Sequence, residues 1–434
     1  MRRVLMVSPH FPPDSSAASH RVRLLAPHLP DAGWTPTVLT VAASAYEGHL
    51  DRDLESLVPP TVRVERADAW PATATRRIGI GDLGLRSLAG LRRACHRLLA
   101  GERFDALFIT IYPTYPALLG PPLKRRFRVP FVLDYQDPWV GAWGRTVGGG
   151  ADGRPDSKSR WARRLGEWLE PKVLAAADAV VAVSQGTLDG IVERIPAAGR
   201  VPHEVIPLGF EPDDFAALHR RGACARPVDP GDGLVHLCYV GTLLPTGIAT
   251  LRLLMLGLDR ARREDPAAAR LRLHFVGTSN QSHSDAYRVL PIARECGVED
   301  LVSEAPGRVD YLDAIALLAQ ASGILLLGTT ERHYTASKVY PALLAKRPIL
   351  ALFHEASSVV SILREAAGEP TVRIVSFDET PVREDRVNEV ASHLRRLAAD
   401  PAYRAADVSL DRVDAFSASA LARRLGSLLD RVAV

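Results

Sequence analysis

The sequence predicts an α/β protein composed of two doubly wound domains with parallel sheets. Short, continuous apolar runs, such as 106–110 and 324–327, alternate with longer segments of helical periodicity, as expected for parallel strands that are covered on both faces. Polar turns follow the predicted strands in both halves of the chain. At 434 residues the chain is too long for one ordinary hydrophobic core, so two domains are expected.

The first half of the chain opens with a strand, a helix and a second strand, which is the start of a βαβ unit. The glycine-rich segment after residue 134 is expected to form a substrate-facing loop. Residues 1–212 are assigned to an N-terminal domain. Its predicted strands are 3–8, 37–41, 106–110, 131–134 and 179–183, and its predicted helices lie at about 20–33, 83–100, the low 120s and 160–177.

The second half repeats this arrangement after a segment rich in Arg, Ala, Pro and Gly, which is assigned as a linker at 213–232. Residues 233–412 form the predicted C-terminal domain, and the final segment 413–434 carries an amphipathic helix at about 413–431. The predicted strands of this half are 235–240, 271–276, 301–304, 324–327 and 348–352, and the predicted helices lie at about 248–264, 284–295, 311–320 and from near Ser337.

Composition limits the classes of function. The net charge of +4 does not by itself imply a nucleic-acid partner, although a pI near 8.9 is compatible with anionic ligands. The four cysteines lie far apart without a CxxC pair, which predicts neither a disulfide framework nor a zinc site and fits a reducing, cytoplasmic location. The start of the chain is predicted to be a strand rather than a signal peptide. No apolar run is long enough to span a membrane, and arginine clusters leave open at most a peripheral contact.

A phosphate site is predicted in the segment 323–352, where a polar turn joins a buried strand to a helix. The amino end of a helix carries unpaired N–H groups and partial positive charge, and Lys338 would add a full charge there. Five polar turns follow predicted strands and favour a phosphorylated ligand in a cleft beyond the carboxyl ends of the strands. These turns are 15–20, 134–139, 241–247, 277–282 and 329–338.

Several stretches together resemble one enzyme family. They are VLMVSPHFPPDSSAASHRV, FVLDYQDPW, ADAVVAVS and VIPLGFEPDDF in the first half, and CYVGTLLPTG, LHFVG and SKVYPALLAKRPILAL in the second. In order and spacing they are similar to the GT-B glycosyltransferases, closest to the retaining family 4 group. The resemblance implies two Rossmann-like domains facing a central cleft, with the C-terminal helix crossing back to the first. It also implies that the C-terminal domain binds a nucleotide-sugar donor and the N-terminal domain binds the acceptor.

The sequence departs from the family pattern at positions that normally hold the donor. The Arg and Lys expected after the first strand of the second domain are replaced by Thr242 and Thr246. The paired glutamates fall on His333 and Pro341, and a frequent His-Asp pair reads Gln136–Asp137. The residues that bind the donor are therefore expected to differ from those of typical family members.

The candidate site residues follow from the turns and from the resemblance. Lys338 is predicted to stabilise the leaving diphosphate, and His20 or Asp137 to orient or deprotonate the acceptor. Glu331 is a candidate replacement for the missing ribose acceptor, and the Arg308–Val309 backbone is expected to meet the base. The other predicted donor contacts are Ser16, Ala17, Gly241, Thr242, Gly277, His333, Ser337 and Val339, and the predicted acceptor contacts are Tyr135, Gln136 and Trp139.

The resulting prediction is a glycosyltransferase that moves a sugar from a UDP- or GDP-linked donor to a glycan or small-molecule acceptor, through oxygen or sulfur. Retention of configuration is implied by the family, and neither a metal nor a cofactor is required if Lys338 and the helix end stabilise the diphosphate. Arg- and Ala-rich composition indicates a high-GC bacterial source, in which such enzymes build cell-surface glycans or antibiotics. A sugar-nucleotide epimerase and a non-catalytic sugar-nucleotide-binding protein remain as alternatives.

Overall fold

A computed structural model describes residues 1–141, 145, 154–221, 231–279, 286–332 and 336–433. The chain divides into two compact units, each of which contains one parallel sheet. The first unit comprises Met1–Leu50, Val58–Leu208 and Ala418–Val434, and the second comprises Asp51–Leu57 and Gly209–Ser417.

Parallel strands form both sheets, which confirms the predicted α/β class. The first sheet has seven strands in the order β3-β2-β1-β4-β5-β6-β7, and the second has six in the order β10-β9-β8-β11-β12-β13. The strands are β1 (Arg2–Val7), β2 (Trp34–Val41), β3 (Arg63–Ala67), β4 (Ala106–Ile111), β5 (Phe131–Tyr135), β6 (Ala179–Ala182), β7 (His203–Val205), β8 (Val235–Val240), β9 (Leu271–Val276), β10 (Val302–Ala305), β11 (Gly323–Leu327), β12 (Ile349–His354) and β13 (Val372–Phe377).

Helices cover the faces of each sheet. In chain order they are α1 (Ser19–Leu25), α2 (Arg52–Ser56), α3 (Ala72–Thr75), α4 (Leu83–Gly101), α5 (Gly120–Phe127), α6 (Ser157–Leu174), α7 (Gln185–Arg194), α8 (Pro212–Arg221), α9 (Ile248–Glu264), α10 (Leu290–Glu295), α11 (Tyr311–Gln320), α12 (Val339–Leu344), α13 (Ser358–Ala366), α14 (Glu384–Ala399), α15 (Leu410–Asp414) and α16 (Ala418–Val432). None of the helices in the described ranges combines the length and apolar character needed to cross a lipid bilayer.

The core of the first unit has a layer on each face of its sheet. Successive side chains of a strand point to opposite faces, so Leu5 and Val7 pack in one layer while Val4 and Met6 pack in the other. The second layer also contains leucines of α16, which is why the last helix belongs to the first unit. Gly426 of α16 permits this packing, since a Cβ there would lie 2.6 Å from the Ala32 side chain.

The predicted boundaries differ from the structure in three places. The predicted linker at 213–232 contains most of α8, whose Ala217 and Leu218 pack against α11 in the second unit. Residues 51–57 join the second unit as well, because the Asp51 carboxylate accepts a hydrogen bond from the Tyr311 N–H at 2.6 Å. The single helix predicted at 413–431 is instead two helices, α15 and α16.

The phosphate-site helix predicted to begin near Ser337 is also shorter than expected. It spans Val339–Leu344, and Lys338 precedes its first turn as the N-terminal cap residue. The N–H groups of Val339 and Tyr340 already bond to the carbonyls of Ala336 and Ser337, at 3.1 and 3.3 Å. This short helix therefore offers fewer open N–H groups to an anion than the sequence led us to expect.

Candidate functional site

In the second unit, glycines follow three neighbouring strands at their carboxyl ends. Gly241 follows β8, Gly277 follows β9 and Gly328 follows β11, and the order of the sheet makes these strands neighbours. Gly241 and Gly277 have positive φ angles of 115° and 72°, which favour glycine. A Cβ on Gly277 would lie 3.7 Å from the Gly241 nitrogen. The absence of side chains at these turns lets a ligand approach the backbone closely.

Lys338 extends over the turn at Gly241. Its Nζ donates a hydrogen bond of 2.6 Å to the Tyr239 Oη and lies 3.9 Å from the centre of that ring. A Cβ on Gly241 would lie only 3.4 Å from the same nitrogen. The Tyr239 hydroxyl in turn donates to the Thr242 carbonyl at 2.9 Å. Tyr239 therefore fixes the lysine amino group directly beside the open glycine backbone.

In the part of the chain that the structure describes, Lys338 is a buried amino group without a counter-ion. Burial lowers its pKa to about 7, because the charged ammonium loses water. Among the described residues, no carboxylate counters this effect of burial on its pKa. An anionic ligand beside Gly241 would raise this pKa again, so the amino group is suited to bind negative charge.

A second cation, Arg288, lies at the same turn. Its Nη1 donates to the Leu243 carbonyl at 2.7 Å. Its backbone N–H, together with those of the next two residues, donates to the Glu304 carboxylate, which also accepts from the Thr278 hydroxyl at 2.6 Å. Arg288 was not selected in the sequence analysis, because the strand–turn pattern does not indicate which later residues contact a turn.

In the first unit, a polar cluster surrounds the buried carboxylate of Asp14, just after β1. His10 Nδ1 lies 2.6 Å from Oδ2, and the hydroxyls of Ser16 and Ser19 donate to the same oxygen at 2.5 and 2.8 Å. Burial alone would raise the pKa of Asp14. The hydrogen bond and charge of His10 and the two hydroxyls outweigh burial and lower the pKa to about 2. The carboxylate is therefore ionised at neutral pH.

This carboxylate orients the His10 ring. Because an ionised carboxylate only accepts hydrogen bonds, it favours the proton on Nδ1 and leaves Nε2 as an acceptor. The half-buried ring lies between Tyr46 and Tyr112, with centroid distances of 6.2 and 5.4 Å. His10 and Asp14 thus form a histidine–carboxylate pair of the kind that accepts protons in enzymes. The sequence analysis did not select this pair, although its two residues stand four positions apart after the first strand.

Residues 16–209 match the family model described as "Glycosyl transferase 4-like domain". The match lies in the first half of the chain and covers 194 of its 434 residues. No curated protein sequence matches it significantly. Similar solved structures are HepE of Anabaena in complex with UDP-glucose (13% identity, 99% and 100% of the two chains, TM-score 0.57) and the UDP-forming trehalose-phosphate synthase of Burkholderia vietnamiensis (13%, 100% and 100%, 0.61). A third, described as trehalose-6-phosphate from E. coli bound with UDP-2-fluoro glucose, has 13% identity over 99% of each chain and a TM-score of 0.63. These similarities confirm the predicted GT-B fold.

The structure brings together only part of the predicted donor set. Lys338, Gly241 and Gly277 lie together, and Thr242 and Ser337 are half-buried nearby in sequence. Val339 is completely buried and its N–H is already bonded within the turn, so this predicted contact is wrong.

Other predicted donor residues have different surroundings. Val309 packs against the apolar cluster at Val276, and Arg308 is half-buried. Glu331 is exposed, and its backbone N–H donates to the Thr329 hydroxyl at 3.2 Å. His333 lies outside the described residues. The proposed role of Glu331 as a ribose acceptor stays a prediction.

Of the three predicted acceptor residues, one is fully buried and two are half-buried. Tyr135 is fully buried in the core of the first unit, so the prediction that its ring stacks on an acceptor is wrong. Burial and the nearby Glu170 charge raise its pKa. Trp139 is half-buried and packs beside Gly166 of α6, and Gln136 is half-buried, with an amide nitrogen that is itself buried.

Neither of the two catalytic residues predicted in the first unit, His20 and Asp137, has surroundings like those of His10. His20 Nδ1 lies 3.1 Å from the Arg23 Nη2, so an arginine rather than a carboxylate engages that nitrogen. Asp137 is exposed, and so is Ala17, whereas the Ser16 hydroxyl is engaged by Asp14. The structure therefore favours His10 over His20 as the oriented histidine.

Three carboxylates in the second unit, Asp51, Asp53 and Asp310, lie close enough together to hold a metal ion. Asp51 already accepts hydrogen bonds from the N–H groups of Leu54 and Tyr311, at 2.8 and 2.6 Å. These bonds assign Asp51 a structural role at the start of α2. Metal-free transfer stays a prediction.

Proposed function

We propose that this protein is a glycosyltransferase that moves a sugar from a UDP-sugar to an acceptor nucleophile, with the donor bound by the second unit and the acceptor by the first. The observation that carries the proposal is the Lys338 amino group, held by Tyr239 beside the open backbone of Gly241. We favour a uridine nucleotide because two of the similar solved structures are complexes, one with UDP-glucose and one with UDP-2-fluoro glucose. The acceptor class we propose is a bacterial cell-surface glycan or natural product.

The chemical barrier is the separation of an anionic diphosphate from an oxocarbenium-like sugar. Lys338 supplies a cation, and the turns at Gly241 and Gly277 supply close backbone groups, at the position where negative charge grows. Because burial lowers the pKa of Lys338 to about 7, the diphosphate would shift its amino group further toward the ammonium form when it binds. Arg288 is the second cation available at this turn.

His10 is the proposed contact for the acceptor. Its Nε2 accepts the proton or hydrogen bond of the attacking hydroxyl while Asp14 holds Nδ1. With retention of configuration, which we propose from the family, the leaving phosphate takes the proton and His10 only orients the acceptor. With inversion, His10 would take the proton itself. The anomeric configuration of the product distinguishes the two roles.

Mass spectrometry of the full chain incubated with UDP-, GDP- and dTDP-sugars tests the proposal directly. Sugar transfer or donor hydrolysis with UDP-sugars is the expected result. Isomerisation of the sugar while it remains attached to the nucleotide would instead identify an epimerase. Thermal stabilisation by a nucleotide sugar without any turnover would identify a binding protein. Either of the last two results overturns the proposed transfer.

Binding of UDP at pH 8 is expected to take up close to one proton. Lys338, with a pKa of about 7, is mostly neutral in the free protein at this pH, and the diphosphate would raise the pKa well above 8. The expected uptake is therefore about 0.9 proton per UDP. Calorimetric titrations in buffers with different ionisation enthalpies measure it. The Lys338→Arg variant should bind UDP without taking up a proton. If the unsubstituted protein also took up no proton, Lys338 would not contact the diphosphate.

His10→Gln is expected to lower kcat/KM by about 10²-fold, the lower end of the range for general acid–base groups. The change removes the acceptor at Nε2 but leaves a polar side chain beside Asp14. His203→Gln is the matched control, because His203 is an exposed histidine of the same unit. If the His10→Gln and His203→Gln variants had equal kcat/KM, His10 would not contact the acceptor. If only His20→Gln lowered kcat/KM, His20 would be the acceptor-orienting histidine, as the sequence analysis predicted.

A further inference from the structure

Helix α6 presents two tryptophans to solvent. The side chains of Trp161 and Trp168 are 64% and 59% exposed, and their spacing of seven residues places both on one face of the helix. The opposite face is fixed to the first unit, since Gly166, Glu170 and Val173 are buried. A Cβ on Gly166 would lie 3.2 Å from the Val140 side chain, so this face of the helix packs closely against the first unit.

Basic residues flank the two indoles. Arg160, Arg164 and Lys172 are exposed on the same side of the helix, and Lys172 Nζ lies 3.2 Å from the centre of the Trp168 ring. The acidic residues of α6 do not cancel this charge. Glu170 is buried and paired with Arg194 at 3.0 Å, and Glu167 is paired with Arg163 at 2.9 Å.

A second segment extends the same surface. Lys158 at the start of α6 donates a hydrogen bond of 2.6 Å to the Gly79 carbonyl. This bond places the turn at Arg76–Gly79 next to the helix, and Ile78 in that turn is 72% exposed. We call this surface the α6 face and define it by Ile78, Arg160, Trp161, Arg164, Trp168 and Lys172.

Single exposed apolar side chains are common, but two indoles and an isoleucine surrounded by cations are typical of helices that lie at a membrane interface. Tryptophan is stable there because its apolar ring meets the acyl boundary while its N–H stays among polar headgroups. The arginine and lysine side chains reach phosphate groups at the same depth. A second copy of the face is a poor partner, because its cations would oppose those of the first.

We propose that the α6 face docks the protein on a lipid bilayer that carries anionic headgroups. The indoles of Trp161 and Trp168 and the Ile78 side chain enter the interfacial region, and the basic side chains bind lipid phosphates. The contact is peripheral and reversible, and it weakens with salt, since the attraction between the basic side chains and the charged surface is screened. It does not depend on the identity of the donor or acceptor.

Vesicle flotation of the full chain tests the docking. Vesicles of phosphatidylcholine alone are compared with vesicles that contain phosphatidylglycerol, at low and high salt. The expected result is binding to the anionic vesicles at low salt, with a blue shift of tryptophan emission, and weak binding to the neutral ones. No binding to anionic vesicles, or equal binding to both kinds, overturns the proposal.

Two pairs of variants locate the contact on the α6 face. Trp161→Ser with Trp168→Ser should lower the partition coefficient at least about tenfold, whereas Trp70→Ser, which removes another exposed indole of the first unit, should leave it unchanged. Arg164→Glu should lower it about fivefold or more, whereas Arg364→Glu, the same charge change at an exposed arginine of the second unit, should have little effect.

Unchanged melting temperatures would show that the variants are folded. If the tryptophan double variant bound vesicles as tightly as the unsubstituted protein, the α6 face would not be the docking surface. If the unsubstituted protein bound no vesicles but formed dimers that the double variant lost, the face would be an interface between copies, which also contradicts the proposal.

Discussion

Lys338→Ala is expected to lower the kcat of sugar transfer by about 10²- to 10³-fold, the range found when one preorganised donor to a developing charge is removed. The amino group is fixed by the Tyr239 hydroxyl at 2.6 Å and lies next to the Gly241 backbone. Its charge contributes most when the bond between sugar and diphosphate breaks, because the phosphate charge is then greatest. The loss should therefore fall mainly on kcat rather than KM.

Conservative variants separate charge from packing. Lys338→Met keeps the length of the stem without the cation and should be as slow as Lys338→Ala. Lys338→Arg keeps a cation but cannot become neutral on burial, so it should recover part of the rate while lowering stability. Lys346→Ala, a change at an exposed lysine eight positions further along, is the matched control. If a folded Lys338→Met variant were fully active, the Lys338 charge would have no role in the reaction.

The sheets could be predicted because their central strands are continuous apolar runs. Strands β8, β9 and β11 lie where the sequence placed them, within one residue. The edge strands β3 and β7 were missed because they are short and partly exposed, with charged residues where a central strand has apolar ones. The sequence of β3, RVERA, is not distinguishable from a solvated loop by hydrophobic pattern alone.

The candidate site was predictable only where it depends on position along a strand. Gly241 directly follows a predicted strand, and Lys338 ends the polar turn that follows another, so the turn pattern selected both. Tyr239 could not be selected, because an aromatic residue inside a buried strand has the pattern of a core residue until its hydroxyl is located. His10 and Asp14 depend on the conformation of one loop, and sequence pattern does not determine which of the nearby histidines meets a carboxylate.

Arg21 and Asp134 illustrate the same limit in the core. Both side chains are completely buried, and the guanidinium binds both oxygens of the carboxylate at 2.6 to 3.1 Å. Its remaining donor group binds the carbonyls of Ile206 and Pro207 at 2.8 Å. An aspartate at the end of an apolar strand implies a buried partner, but the sequence contains too many arginines to identify which one.

Arg21→Ala is expected to lower the free energy of unfolding of the first unit by about 3–5 kcal/mol, because it leaves the Asp134 charge buried without a partner. Arg97→Ala removes an arginine that is 64% exposed and pairs with Glu65, and it should cost less than about 1 kcal/mol. All six tryptophans lie between positions 34 and 168, so tryptophan fluorescence during urea titration reports the first unit. A loss no larger than that of the control would contradict the structural role of the pair.

The pH dependence of the Arg21→Ala deficit gives a second check on the same pair. Burial raises the pKa of Asp134, and the charge and hydrogen bonds of Arg21 oppose that rise. Without Arg21 the folded-state pKa should rise further above the unfolded value, so the penalty is largest above the folded pKa and shrinks as the pH falls and Asp134 takes up a proton. The difference in stability between unsubstituted protein and variant should therefore be smaller at pH 5 than at pH 8. Adding Asp134→Leu to Arg21→Met should recover part of the loss, since no charge then remains buried.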